Sequence, residues 1–372
     1  MNKTTSGILC LILLIAGWSV SADQRTPRDL LRGGRVEASA GTEFLDAQIV
    51  AKGDDRLLQV LALRRGGGGS VRGLERSGQW EGSLGLWHAY QAAETSWVSN
   101  GIVFDLALSA SERPQEGLRA APRARSAGTP RLAAMSDADG RLHVAVVETG
   151  SGGRVHYLIR DSSSRWRQAA TEVLSEDLSE VCLAPHPQAD GVALFGLTPE
   201  GRIVEYLLSA SSRSVSKTDI PADLRAGSFA VSNVGRYFFF ILQAPGGGFR
   251  GVERHAVSGE WFMEQQKFMR GFADALGGAA LRSLSAFRDA AGLMQVVGLM
   301  AGDIVHFYRD EVGTWYNNGV VLSSPGLRRI SGDIDGRGLV NVIGLTNDGR
   351  IWHASRAANF QWRDSGLLNL EQ

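Results

Sequence analysis

One short unit recurs along this chain with its register intact, and that recurrence limits the folds open to it. The last copy reads LVNVIGLT (339–346), the turn NDG (347–349), RIWHASR (350–356) and, after AANF, QWRDSGLL (361–368). Taking the turn glycine as origin aligns Gly349, Gly302, Gly248, Gly201, Gly153 and Gly69. Two places on, most copies carry an aliphatic residue (Ile351, Ile304, Ile203, Val155, Val71). Seven places on stand Arg356, Arg309, Arg160 and Arg76, and thirteen places on Trp362, Trp315, Trp261 and Trp166. Chance apolar runs do not share several anchored offsets, whereas a fixed period does, and it marks a repeat architecture.

Each unit divides into four strand-sized pieces. A small-residue segment (PRLAAMSD, EVCLAPHP, GSFAVSNV, RSLSAFRD, LRRISGD) precedes an apolar octet such as GVALFGLT or LMQVVGLM, then an alternating piece, then the Trp-bearing one. Gly, Asn, Asp and Ser at nearly every junction indicate antiparallel meanders. Continuous rather than alternating hydrophobicity in the octets indicates strands covered on both faces. Four-stranded meanders of this length predict an all-β fold, a β-propeller, with the small residues at the crowded axis. The only helical candidate, KFMRGFADAL (267–276), reads as a connection between units.

The count of blades depends on residues 85–128. Trp166, Val215, Trp261, Trp315 and Trp362 are spaced by 46 to 54 residues, but Trp80 precedes Trp166 by 86, close to two periods. Seven blades are therefore favoured, with LWHAYQA, IVFDLALS and EGLRAAPRA as strands of a degenerate second unit; six blades with an insertion at 110–129 also fit. GLWHAYQAAETSWVSNGIVF nevertheless resembles GDIVHFYRDEVGTWYNNGVVL (302–322).

Residues 1–22 combine Lys3, an apolar core GILCLILLIAG and the small-residue site Val20-Ser21-Ala22, the pattern of a secretory signal peptide and too short for a membrane span. A polar leader is expected over 23–45 and a single propeller domain over 46–372, in a protein that is secreted or periplasmic. Lys plus Arg and Asp plus Glu are equal at 39 each, so no net field points to nucleic acid. Only Cys182 follows the signal segment, which leaves packing rather than disulfides to hold the fold.

The blade LVNVIGLTNDGRIWHASRAANFQWRDSGLL resembles the repeat of bacterial PLL-type propeller lectins, a seven-bladed family related to fucose-binding and tectonin-type propellers. That resemblance implies carbohydrate recognition. It departs from the pattern in that Trp-His occurs in the third strand only at Trp352-His353, so few sugar sites are implied. Sugar recognition needs a flat apolar ring and planar polar groups for vicinal hydroxyls. The last two units supply His306, Tyr308, Arg309 and Trp315, then Trp352, His353, Arg356 and Trp362. Alternation puts Trp352 and Arg356 on one blade face and His353 on the other, so one pocket between blades would join Trp352 and Arg356 to His306 and Tyr308. At the level of sequence core packing is the commoner reason for a recurring Trp or Tyr at such positions, and the recurring Arg also suits capping of blade edges or pairing with Asp161, Asp310 or Asp364.

Other chemistries find less support. The four-glycine turn (66–69) lacks the Lys-Ser or Lys-Thr pair and helix of a phosphate loop. Asp333-Ile334-Asp335-Gly336 and Asp137-Ala138-Asp139-Gly140 begin like calcium loops but continue without further carboxylates, and read as Asp-Gly turns. No metal site or cofactor is expected. The seven histidines form no HExxH pair, and Ser-x-Asp-x-Gly-x-Thr-Trp turns of sialidase type are incomplete, leaving a glycan-active hydrolase behind the two leading classes. Those classes are a glycan-binding protein and a non-catalytic scaffold for an exported protein partner in a bacterial envelope.

Overall fold

The computed structural model describes residues 43–51, 57–65, 84–93, 96–106 and 129–368, the last stretch with short breaks of which 264–270 is the longest. The described residues from 43 onward belong to one compact unit. Its strands make six antiparallel four-stranded sheets. Blade 1 holds β1 (Phe44–Ala51), β2 (Leu58–Arg65), β3 (Leu84–Ala93) and β4 (Ser96–Leu106). Blade 2 holds β5 (Arg131–Ser136), β6 (Leu142–Val147), β7 (Arg154–Arg160) and β8 (Trp166–Val173). Blade 3 holds β9 (Glu180–Pro185), β10 (Gly191–Leu197), β11 (Ile203–Ser209) and β12 (Val215–Thr218). Blade 4 holds β13 (Ser228–Val234), β14 (Tyr237–Gln243), β15 (Phe249–His255) and β16 (Trp261–Met263). Blade 5 holds β17 (Ser283–Arg288), β18 (Met294–Met300), β19 (Asp303–Arg309) and β20 (Trp315–Ser323). Blade 6 holds β21 (Leu327–Ile334), β22 (Val340–Thr346), β23 (Ile351–Arg356) and β24 (Trp362–Leu367).

The first strands touch one another in a closed ring, β1 to β5, β9, β13, β17, β21 and back to β1, which places them on the axis of a propeller. Side chains of one first strand satisfy backbone donors of the next. Ser283 Oγ accepts from Ile330 N at 3.2 Å, Ser331 Oγ from Ile49 N at 3.2 Å, and Asp46 Oδ2 from Leu132 N at 2.8 Å. The second of these closes the ring between the last blade and the first, as does the bond from Phe44 N to Gly349 O at 3.1 Å.

The ring has six blades, the alternative that spacing left open, and not the seven it favoured. Leu84–Ala93 pairs with β2 through Gln59↔Tyr90 and Leu61↔His88, so LWHAYQA is the third strand of blade 1 and not the start of a second unit. Residues 66–83, with Gly69, Arg76 and Trp80, lie between β2 and β3, outside the described residues. An alignment anchored on Gly69 therefore took its origin from an insertion. The Trp of this blade is Trp97, paired with Gln91. Equivalent pairs are Arg160↔Trp166, Leu208↔Val215, Arg254↔Trp261, Arg309↔Trp315 and Arg356↔Trp362. In blade 4 the arginine is one position earlier than the common offset to His255, and the pairing restores it.

The octets become the second strands, buried on both faces: LHVAVV, GVALFGL, YFFFILQ, MQVVGLM and VNVIGLT. A glycine in three of them makes room for a leucine just ahead of, or at the start of, a first strand. An added Cβ would lie 2.5 Å from Leu178 at Gly196, 2.7 Å from Leu281 at Gly298 and 2.6 Å from Leu327 at Gly344. Between blades 4 and 5, Phe272 fills the gap, its ring centroid 5.0 Å from Phe249, 4.7 Å from Phe307 and 5.0 Å from Trp315. Only Gly271 and Phe272 of the helical candidate are helical among the described residues, and they connect units as the sequence suggests.

Both acidic sequences are turns. Asp137 Oδ1 accepts from the N–H of Asp139 and Arg141, and Asp335 Oδ1 from the N–H of Arg337 and Leu339. Asp310 does the same for Val312 and Thr314. The chain then leaves through a glycine at positive φ, Gly140 at 71°, Gly313 at 88° and Gly338 at 78°, a conformation that residues bearing a Cβ adopt at a steric penalty. The carboxylates are thus used by the backbone, and no group of three ligating side chains suited to a metal occurs among the described residues.

Candidate functional site

A polar relay recurs in the third strands of blades 1 and 5. In blade 5, Gln295 on β18 donates from Nε2 to Asp289 Oδ2 at 2.8 Å, which turns its Oε1 toward His306 Nε2 at 2.9 Å. His306 Nε2 must then carry the proton, and Nδ1 accepts from Asn318 Nδ2 at 3.0 Å. In blade 1, Gln59 Oε1 faces His88 Nε2 at 2.7 Å and Asn100 Nδ2 faces His88 Nδ1 at 2.9 Å. Both imidazoles are fully buried. Burial, with a smaller contribution from Arg160 beside His88 and Arg356 beside His306, pushes each down to about 3 and keeps it neutral.

The outer strand is built for this. Ser99-Asn100-Gly101 and Asn317-Asn318-Gly319 each form a bulge opposite the histidine, in which the first side chain accepts from the glycine N–H. Gly101 and Gly319 sit at φ 69° and 78°. An extra residue at the bulge is swung toward the imidazole instead of alternating past it.

Blade 6 carries an incomplete copy. His353 Nε2 faces Asn341 Oδ1 at 3.1 Å, but Ser365 occupies the bulge and His353 Nδ1 has no hydrogen-bond partner. Burial lowers this imidazole to about 4. Blade 2 inverts the chemistry: His143 holds the place of the glutamine and bonds Tyr157 Oη at 2.7 Å, with Asp137 Oδ2 at 2.9 Å behind it. Blade 3 places Glu205 in the third-strand position, 2.8 Å from Arg254 of blade 4 in a buried ion pair whose carboxylate Oε2 lies off the hydrogen-bond axis. Burial raises the Glu205 carboxyl, and Arg254 opposes that shift.

Three of the third-strand histidines, His88, His306 and His353, face the following blade. His306 meets Trp362 edge-on at 5.5 Å between centroids, His88 meets Trp166 at 5.9 Å, and His353 meets Trp97 at 5.3 Å. The 5/6 cleft thus gathers His306, Tyr308, Asn318, Arg356 and Trp362, and the 1/2 cleft His88, Tyr90, Asn100, Arg160 and Trp166. Arg356 lies close enough to His306 to help hold that imidazole neutral, and its own pKa is lowered by burial with Tyr308 opposing, while Arg160 Nη1 donates to Gln59 Oε1 at 3.4 Å. Tyr308 stacks on Tyr316 at 4.8 Å, which extends an aromatic surface to the outer strand. The tyrosines, arginines and tryptophans of both clefts are partly exposed, while the imidazoles are sealed.

Of the eight residues singled out by sequence, four therefore share the 5/6 cleft: His306, Tyr308, Arg356 and Trp362. Trp352 lies on the same side but is core, packed with Val297, Leu299 and Ile304, its Nε1 donating to Asp364 at 2.7 Å. His353 faces blade 1. Arg309 and Trp315 face blade 4, Arg309 over the Phe239 ring at 5.1 Å and Trp315 buried beside Phe272. Sequence reading did not reach Gln59, His88, Tyr90, Asn100, Trp97, Arg160, Trp166, Gln295 or Asn318 as site residues. The signal was present: His88, His306 and His353 each stand nine residues before Trp97, Trp315 and Trp362, which open WVSNG, WYNNG and WRDSG.

No protein-family profile matches the chain, and no curated protein matches it in sequence. Solved structures match in fold. The fungal lectin of Aleuria aurantia, described as a six-bladed β-propeller with a novel fucose recognition mode, superposes with a TM-score of 0.56 at 13% identity over 89% of this chain and 98% of its own. AofleA from Arthrobotrys oligospora gives 0.55 at 10% identity over 88% and 87%, and the BP39L lectin from Burkholderia pseudomallei 0.51 at 12% identity over 87% and 83%.

Proposed function

We propose that this protein is a carbohydrate-binding propeller that takes a sugar at the 5/6 and 1/2 clefts. One observation carries the reading: two non-adjacent clefts share a buried glutamine–histidine pair that fixes an accessible outer-strand asparagine, together with a tyrosine, an arginine and a tryptophan. Packing alone would be met by any of the substitutes found elsewhere in the ring, such as Tyr157, Glu205 or Gly251 in the same third-strand register. A neutral imidazole fixed from behind orients the asparagine amide, leaving its carbonyl and second N–H for a ligand. The arginine fork suits vicinal hydroxyls, and the partly exposed indole suits the C–H face of a pyranose. Structural neighbours that are lectins, several of them solved with fucosides or named for fucose, make a fucosylated glycan the first ligand to try. The signal-like residues 1–22 suit a protein working outside the cytoplasm, in the periplasm or beyond.

A glycan array followed by calorimetry with methyl α-L-fucoside tests this. Arg356→Ala combined with Arg160→Ala should weaken binding at least tenfold, about 1.4 kcal/mol, in a protein that still melts cooperatively. A wild-type protein that binds no glycan would sink the proposal and favour the protein-interaction scaffold.

A further inference from the structure

A separate cavity of about 200 Å³ lies on the axis, where the first strands begin. Arg131 of β5, Arg282 just ahead of β17, and Arg328 and Arg329 of β21 line it, with Glu180 of β9. The carboxylates nearby are already engaged. Asp46 accepts from Ala47 N and Leu132 N at 2.8 Å each and lies 3.1 Å from Arg329 Nη1. Glu180 accepts from Ser228 Oγ at 3.0 Å and Phe229 N at 3.2 Å. Arg328 donates to the carbonyls of Phe44 and Leu45, but its Nε, like that of Arg131, is buried without a hydrogen-bond partner. Arg282 is exposed and makes no ion pair among the described residues. Four guanidinium groups meet three carboxylates, Asp46, Glu180 and the exposed Glu43, which lies 3.9 Å from Arg328 Nη1, and one positive charge is left in excess, 4 − 3, in a protein whose formal net charge is zero.

Cations gathered from blades 2, 5 and 6 repel one another: burial first, and then repulsion from Arg329 and, more weakly, Arg328, disfavours the Arg131 charge, while Asp46 and Glu180 oppose that shift. An anion in the cavity would reverse that balance and give the idle Nε–H groups an acceptor. We propose that this axial cavity binds a small tetrahedral oxoanion, sulfate or phosphate, free or as an ester on a larger ligand. The guanidinium groups arrive from different blades around the ring and not as one planar fork. That arrangement suits acceptor oxygens pointing in several directions better than a flat carboxylate.

The test is calorimetric titration of the purified protein with sodium phosphate and sodium sulfate at low chloride, with sodium acetate as the planar control. Saturable binding of phosphate or sulfate at least tenfold tighter than acetate is expected. Arg282→Gln, at an exposed position, should weaken it at least fivefold, and Arg131→Gln with Arg282→Gln at least twentyfold. Arg350→Gln, in a turn pair with Asp348, should leave it unchanged. A sugar sulfate that binds while the unsulfated sugar does not reach the same heat identifies the ester form; inorganic ion alone identifies the free form. Absent binding, equal affinity for acetate, or indifference to Arg282→Gln overturns the proposal. The cleft variants Arg160→Ala and Arg356→Ala should not affect it, so the axial site and the clefts succeed or fail separately.

Discussion

The imidazole of His306 in blade 5 stands at 82° to the indole of Trp362 in blade 6, 5.5 Å away, and joins the two sheets through their third and fourth strands. His88 with Trp166 repeats the relationship at 72°, and His353 with Trp97 at 78°. A hydrophobic ring on one blade thus covers a polar but neutral ring on its neighbour, and the pairing depends on that neutrality.

Acid should therefore loosen the ring. A histidine whose folded pKa is depressed binds fewer protons folded than unfolded, so stability is present above about 6.5 and falls as pH drops from there toward the folded value, about 3 for His88 and His306 and about 4 for His353. At pH 5 each would contribute a loss of about 2 kcal/mol. Asp333, raised to about 6 by burial in the axial channel, works the other way, gaining stability as pH falls from about 6 toward 3.8. Urea unfolding at pH 7.5 and 5.0 should show a net loss, and His306→Gln should make the difference smaller. An unchanged pH slope in that variant would mean His306 can be protonated in place.

Asn318→Ala removes the donor to His306 Nδ1 and leaves that nitrogen as His353 Nδ1 already is. The loss expected is about 1–2 kcal/mol of stability for a buried acceptor without a partner. Ser365→Asn, at the matching bulge of blade 6, tests the same physics in the opposite direction and should raise the melting temperature. Chemical denaturation of the two variants beside the wild type reads both effects.

Gly344→Ala would set a methyl 2.6 Å from Leu327 Cδ1, in a leucine side chain that is itself buried. Overpacking of this kind costs about 1–3 kcal/mol. Leu327→Ala on the same background should recover part of the loss, because the space exchanged is shared, and a double-mutant cycle by thermal melts measures the coupling.

Cys182 is a free thiol, partly exposed on the channel and raised to about 11 by burial. Its native-state reaction with iodoacetamide at pH 8 should run about 100-fold more slowly than that of an unperturbed thiol, since the thiolate fraction falls tenfold per pKa step. Unfolding in urea should restore the ordinary rate, and reductant should leave the melting temperature unchanged.

The repeat, the four strands of a unit and their order from the axis were legible in the order of residues, because both faces of a second strand must be apolar when sheets lie on either side. The order of residues also placed Tyr308, Arg356 and Trp362 in the correct units, through offsets fixed by strand pairing. Tertiary structure decided the blade number: Leu84–Ala93 joins β2 across residues 66–83, and an insertion between second and third strands is invisible to a period anchored inside it. It decided as well which residues meet. A cleft takes one set of side chains from each of two blades, so Trp352 becomes core while Trp166 and His88, 78 residues apart (166 − 88), come into contact. Linear spacing records hydrogen-bonded neighbours within a sheet, but contact between sheets depends on how the ring closes, and only the folded chain fixes that.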